Sequence, residues 1–298
     1  MKNKIYEIET LRGLACILLV FLHLIGAPET TGLRIQSSSY YYYFNEIMSL
    51  IRMPLFAFLG GFVLALRPPK TEDLTKFIKG KFKRLYIPLI FVGIPFVYLQ
   101  ANSGVSNQVV ETDGLYYFSI LWKSQFHFWF LQAMLLVFMF FALLSRLNLL
   151  EPMNVVMVLL GSIAFLAMTD VSWDLFSVSG AVYLLPYTLL GFVFSTHYSW
   201  LKERRINILL LLLLPVSLLF YMKAKSVLSG EDWSKSSYLS ISSSILSLAF
   251  VLLLGFKSKF LSFIGEYSFA IFLYHVYGLV AARVFGKYLG LDIQLMVI

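Results

Sequence analysis

Cysteine is almost absent: the single one, Cys16, lies inside an apolar run, so no disulfide can form within the chain. Charge is scarce as well. Asp, Glu, Lys and Arg supply 13% of the 298 residues, where a soluble domain carries about 25%. The sequence holds no CxxC, HExxH, Walker loop or GxSxG motif, which leaves metal chemistry and nucleotide hydrolysis without support. No long polar linker separates two halves, and no internal repeat is visible. What remains is apolar: 59% of residues are hydrophobic, 17% aromatic, and the mean hydropathy is +0.79. That composition belongs to a polytopic membrane protein. The net charge of +8 raises the idea of nucleic acid. It is set aside because most of the cations fall in short segments between apolar runs.

A helix needs about 20 mostly apolar residues to cross a bilayer. The expected segments are 8–28, 46–66, 85–101, 126–145, 153–169, 180–196, 206–222, 238–256 and 261–282. The first is long and lacks a small-residue cleavage site, so it reads as a retained helix rather than a signal peptide. The tail 288–298 is too short to cross and reads as the stub of a tenth helix. The expected fold is therefore all-α, a transmembrane bundle of about nine to ten helices in one membrane-embedded domain, 1–298. Placing the N-terminus in the cytoplasm puts 15 cations on that side and 7 outside, with Arg12 and Arg52 at or within helices. Lysine and arginine favour cytoplasmic loops, so this orientation is preferred.

Ionisable residues inside apolar helices are costly and usually face a cavity or a partner. The first helix carries a stripe of them. Successive residues turn by about 100°, so Arg12 and His23 lie within about 20° of one face and about 16 Å apart along the axis. Glu9 precedes Arg12 by three positions and neighbours it on the helix surface. Two readings stand here: an interfacial arginine with a structural histidine, or an arginine and an imidazole serving proton transfer. In the last helix Ser268 and His275 also share a face, with Glu266 at its start. His127 and Trp129 open the fourth helix within "FHFWFL". The segment Arg67–Arg84 concentrates seven cations. Lys81 and Arg84, three apart, point the same way and suit a phosphate-rich ligand or acidic headgroups. Gly60-Gly61 permits close backbone approach, and the ten serines of 226–247 suit either close helix packing or a polar cavity lining.

Taken in order, these blocks resemble the membrane acyltransferase-3 family of bacterial integral-membrane O-acyltransferases. The likeness rests on Glu9, Arg12 and His23 as an acid followed by Arg-x10-His; on "MPLFAFLGGF"; on the basic pair in "KFKRLYIP"; on "FHFWFL"; and on "GEYSFAIFLYHVY". Departures are visible. Gly60 stands where the family has serine, Lys81 where it has arginine, and Phe269 and Phe272 where it has tyrosines. The resemblance implies transfer of an acyl group, most often acetyl, from cytoplasmic acyl-CoA to a hydroxyl of an envelope or exported carbohydrate. It implies His23 as base and Arg12, with Glu9, as its partner. Lys81 and Arg84 would contact acyl-CoA, and Trp129, His127, His275 and Ser268 would take secondary or substrate roles. Acyl-CoA would be a co-substrate, with no permanently bound cofactor or metal. The implied location is a bacterial cell membrane, crossed many times. A transporter of polysaccharide or a small molecule, and a non-catalytic membrane subunit, are the alternative classes.

Overall fold

From Tyr6 to Ile25 nothing breaks the chain's helical run, and it coils into α1 (Tyr6–Ile25). Ile8, Leu11, Ala15 and Leu18 recur at helical spacing and are buried. Gly26, at φ 71°, ends the helix by returning its N–H to the Leu22 carbonyl. The computed structural model describes residues 5–26, 32–33, 36, 38–102, 114–169, 171–229 and 234–290. Of the expected tenth-helix stub, Tyr288 ends the last helix and residues 291–298 lie outside those described, as do Arg34 and parts of some expected loops.

The other helices follow in chain order. They are α2 (Tyr40–Ala65), α3 (Leu74–Pro88), a π-helical turn (Leu89–Gly93) leading into α4 (Ile94–Asn102), and the short α5 (Gly114–Ser119). Then come α6 (Trp129–Arg146), α7 (Pro152–Met168), α8 (Val178–Thr196) and the short α9 (Tyr198–Glu203). The last described helices are α10 (Arg205–Leu228), α11 (Tyr238–Leu253), α12 (Lys259–Glu266) and α13 (Ser268–Tyr288). Seven helical runs among the described residues are long and apolar enough to cross a membrane, and α7 and α11 are shorter apolar helices. No strand occurs among the described residues, only an isolated bridge between Lys123 and Leu175.

The all-α bundle matches expectation, but several boundaries move. The basic segment expected to precede the third crossing is largely helix, and the run spans Thr71–Asn102. No proline falls between Pro69 and Pro88, and Glu72 and Asp73 sit at the first turn, where acids suit the helix N-terminus. The π-helical turn lies between Pro88 and Pro95, where the regular hydrogen-bond ladder is interrupted. The last expected segment divides at Tyr267 into α12 and α13. The second and seventh segments extend to Tyr40 and Leu228.

Apolar attraction between helices is weak in lipid, so close packing must hold the bundle. Two junctions are built on glycine. At the α2–α8 crossing a side chain at Gly61 would collide with the Thr188 carbonyl, and one at Gly191 with the Phe58 carbonyl. At the α1–α12 crossing Gly13 and Gly265 stand in the same relation to Leu261 and Glu9. Gly60 is different: its added Cβ would meet only the Met134 methyl at 3.1 Å. The Lys257–Glu7 ion pair (3.1 Å) ties the α11–α12 turn to the start of α1. Ser145 Oγ donates to the Pro69 carbonyl (2.9 Å), joining the end of α6 to the turn before α3. These contacts gather at the end of the bundle where α1 and α3 begin, hereafter the basic end.

Candidate active site

The sequence separates His23, His127 and His275, and the fold reunites them. His23 sits in the last turn of α1, His127 in a 3-10 turn (Phe126–Phe128) before α6, and His275 on α13. Ring centroids are 4.9 Å apart for His23–His275, 4.9 Å for His127–His275 and 6.0 Å for His23–His127.

Each imidazole has its own local cause. His275 Nδ1 lies 3.0 Å from the Ile271 carbonyl and 2.9 Å from the Phe272 carbonyl. Carbonyls only accept, so Nδ1 carries the proton and donates, and Nε2 is left with its lone pair. That Nε2 is buried without a hydrogen-bond partner among the described residues. His127 is 3% exposed, boxed by Phe96 and Phe272 at 5.4 and 5.6 Å. The turn that presents it is held from outside. Phe126 lies in the left-handed region (φ 47°), as do Phe176 and Ser177 (φ 48° and 56°). The Phe176 N–H donates to the Trp122 carbonyl at 2.6 Å and the Ser124 N–H to the Asp174 carbonyl at 3.0 Å. Non-glycine residues in such conformations cost on the order of 1–3 kcal/mol each and persist where their surroundings over-determine them.

The placement of α13 traces to the π-helical turn. Tyr277 Oη donates to the Val92 carbonyl at 2.6 Å, within that turn. Tyr277 is two residues from His275, so this bond sets the register of the α13 imidazole against the rest of the cluster.

His23 and His127 open into a cavity of about 290 Å³. Leu19, Leu22 and Phe272 give it apolar walls, and Trp129, Tyr183 and Tyr187 give it aromatic ones. It is charged as well: Glu46, Arg52, Lys223 and Lys235 face it. A neighbouring cleft of about 420 Å³, lined by Ser124, Thr169, Ser177 and Ser179, shares Trp129, Tyr183 and Lys235 with it. Trp129 lies against Gly180, whose missing side chain leaves room for the indole. Among the described residues no three His, Cys, Asp or Glu side chains converge as metal ligands would.

The other expected site residues lie elsewhere. Arg12 pairs with Glu9 at 2.9 Å near the basic end, and neither lines the cavity. Lys81 places its ammonium 3.8 Å from the centre of the Phe138 ring, and the exposed Arg84 lies 5.8 Å from that of Phe269. Ser268 meets α1 through its carbonyl, which accepts from Cys16 Sγ at 3.8 Å. The guanidinium that shares the cavity with His23 is that of Arg52, not Arg12. A charge inside an apolar helix was itself a signal for Arg52. Lys223 lies one residue beyond the expected segment 206–222. It belongs to α10, whose only buried residues are Lys223 and Ser226.

The fold and site together define a multi-pass membrane protein with a histidine-lined cavity buried at one end of its bundle. The model of the family described as "Acyltransferase domain" matches residues 5–298, and the chain belongs to that acyltransferase-3 family of membrane acyltransferases. No curated protein and no solved structure matches the chain.

Proposed function

We propose that the protein transfers an acyl group, acetyl in the first instance, from acyl-CoA to a hydroxyl of a carbohydrate in the bacterial cell envelope. The observation that carries this is the clustering of His23, His127 and His275 at a cavity large enough to admit part of a sugar. Membership of an acyltransferase family supplies the reaction class.

The N-terminus is cytoplasmic in this reading, so the basic end faces the donor and the cavity faces the opposite leaflet. Arg12, Lys81 and Arg84 attract the phosphates of acyl-CoA. From Arg84 the path follows α13: Phe269 lies beneath that guanidinium, Phe272 walls the cavity, and His275 stands in the cluster. Six helical steps lead from Phe269 to His275, a rise of about 9 Å. The pantetheine arm runs along that face and carries the thioester to the imidazoles.

His23 accepts the proton of the acceptor hydroxyl as its oxygen attacks the thioester carbonyl carbon. The tetrahedral intermediate collapses with cleavage of the C–S bond. The thiolate leaves as CoA and takes up the proton, and the ester stays on the acceptor. His275, its Nδ1 proton committed to backbone, presents the lone pair of Nε2 beside the ring of His23.

The test is transfer of labelled acetyl from acetyl-CoA to envelope glycan in membranes containing the protein. Wild type labels the acceptor, and His23→Ala, present at equal amount, does not. Equal labelling by the variant would remove His23 from the mechanism. A transporter would carry glycan without labelling it.

A further inference from the structure

The cavity beside His23 has a second character that proton transfer does not need. Among the described residues, three cations, Arg52, Lys223 and Lys235, face it against one carboxylate, Glu46. Arg52 is 5% exposed and Lys223 2% exposed. Both lie in helices long and apolar enough to cross the membrane. Lysines near helix ends ordinarily snorkel, keeping the ammonium at the headgroups. Lys225, two positions on, is exposed, whereas Lys223 is buried in the bundle. Its helix otherwise turns outward, since only Ser226 joins it among the buried residues of α10.

The hydrogen-bond inventory points the same way. Arg52 Nη1 donates to Asn45 Oδ1 at 2.6 Å, and Nη2 approaches the Asn45 backbone carbonyl at 3.4 Å. Guanidinium can only donate, so the amide oxygen of Asn45 must face it and the NH₂ must face away. That Nδ2 is buried without a partner among the described residues. The cavity wall therefore presents a guanidinium whose orientation is fixed by Asn45, together with a buried ammonium. Such a set is matched by a planar or tetrahedral oxyanion.

We propose that this cavity is an anion subsite, built by Arg52 and Lys223 with Lys235 at its rim, and that the molecule presented to His23 carries a carboxylate or a phosphate. This rests on the acyltransfer reading only in naming that molecule as acceptor or donor. The anion belongs either to an acidic sugar acceptor or to the far end of a dicarboxylic acyl chain.

The experiment measures binding to the full chain in neutral phosphatidylcholine nanodiscs at low salt. The probes are glucuronate, glucose 1-phosphate, succinate and glucose. At least one anion should bind about tenfold or more tightly than glucose, as charge-assisted hydrogen bonds require. Glucuronate or glucose 1-phosphate binding assigns the anion to the acceptor, and succinate binding alone assigns it to the acyl chain. Arg52→Gln and Lys223→Met should each weaken anion binding by about tenfold. Lys235→Gln, at an exposed position, should weaken it by a few-fold without affecting folding. Arg52→Lys keeps the charge and loses the fork, so affinity should fall between wild type and Arg52→Gln. Lys225→Gln, on the same helix but facing outward, should bind as wild type does. Equal binding of glucose and all three anions, or wild-type affinity in Arg52→Gln, Lys223→Met and Lys235→Gln alike, would overturn the subsite. Labelled acetyl transfer is scored separately: transfer without anion preference sinks the subsite alone, and anion binding without transfer sinks the acyltransfer reading alone.

Discussion

The imidazoles of His23 and His275 lie 4.9 Å apart, centroid to centroid, although one ends the first helix and the other stands in the last. The pairing joins the two ends of the chain at one cavity. It also gives the two rings different duties, because His275 has already committed Nδ1 to backbone carbonyls. His23→Ala should lower acyl transfer by about 10²–10⁴-fold, the usual range for a lost general base. His275→Asn keeps an N–H for the Ile271 and Phe272 carbonyls but removes the Nε2 lone pair. It should fold normally, lose rate, and displace the pH–rate profile. A profile superimposable on wild type would make His275 a packing residue.

The tandem glycines should separate cleanly. Gly61→Ala places a methyl against the Thr188 carbonyl, which cannot move without shifting α8. Overpacking of this kind costs about 1–3 kcal/mol. Gly60→Ala or Gly60→Ser meets only the end of the flexible Met134 side chain and should be close to neutral. Thermal unfolding in detergent checks both, and equal melting temperatures for Gly60→Ala and Gly61→Ala would contradict the packing described.

On α3, Arg84→Gln should raise the KM for acyl-CoA by several-fold, leave kcat nearly unchanged and reduce the salt dependence of KM. Arg12→Gln removes a part-exposed pair with Glu9. Such pairs contribute about 0–1 kcal/mol, so the melting temperature should barely change. Its effect should again fall on KM. A loss confined to kcat would place Arg12 with the imidazoles, against the geometry.

The helices were legible in the sequence because membrane crossing imposes length and apolarity on each of them. The residues His23, His127 and His275 were legible as isolated polar groups in apolar runs. Their convergence was not, since it depends on helix crossings set by Gly13, Gly61, Gly191 and Gly265, and on a turn held by Phe176 and Ser177. Helical periodicity put Arg12 on the face of His23, but sharing a face does not mean sharing a cavity when about 16 Å of rise separates two residues. Arg52 took the place expected of Arg12 because α2 passes His23 at that level, a tertiary fact with no local signature. Lys223 fell outside the expected segment 206–222 for a simpler reason: the apolar run thins before α10 ends, and hydropathy sees only the run.

The bond from Tyr277 Oη to the Val92 carbonyl tests whether α13 must be held in register for the cluster to work. Pro88 and Pro95 flank a π-helical turn, and one of its carbonyls takes a side chain from another helix. Tyr277→Phe keeps the ring and its packing on Phe96, 5.1 Å away, and removes only the hydroxyl. Stability should fall by about 1 kcal/mol, the usual net value of one hydrogen bond. Activity should fall further than stability explains, because a small slip of α13 moves His275 relative to His23, and misplacement of about 1 Å can cost 10²-fold in rate. Rates at a temperature where both proteins are fully folded separate the two effects. Full wild-type kcat in Tyr277→Phe would show that the π-helical turn serves stability alone.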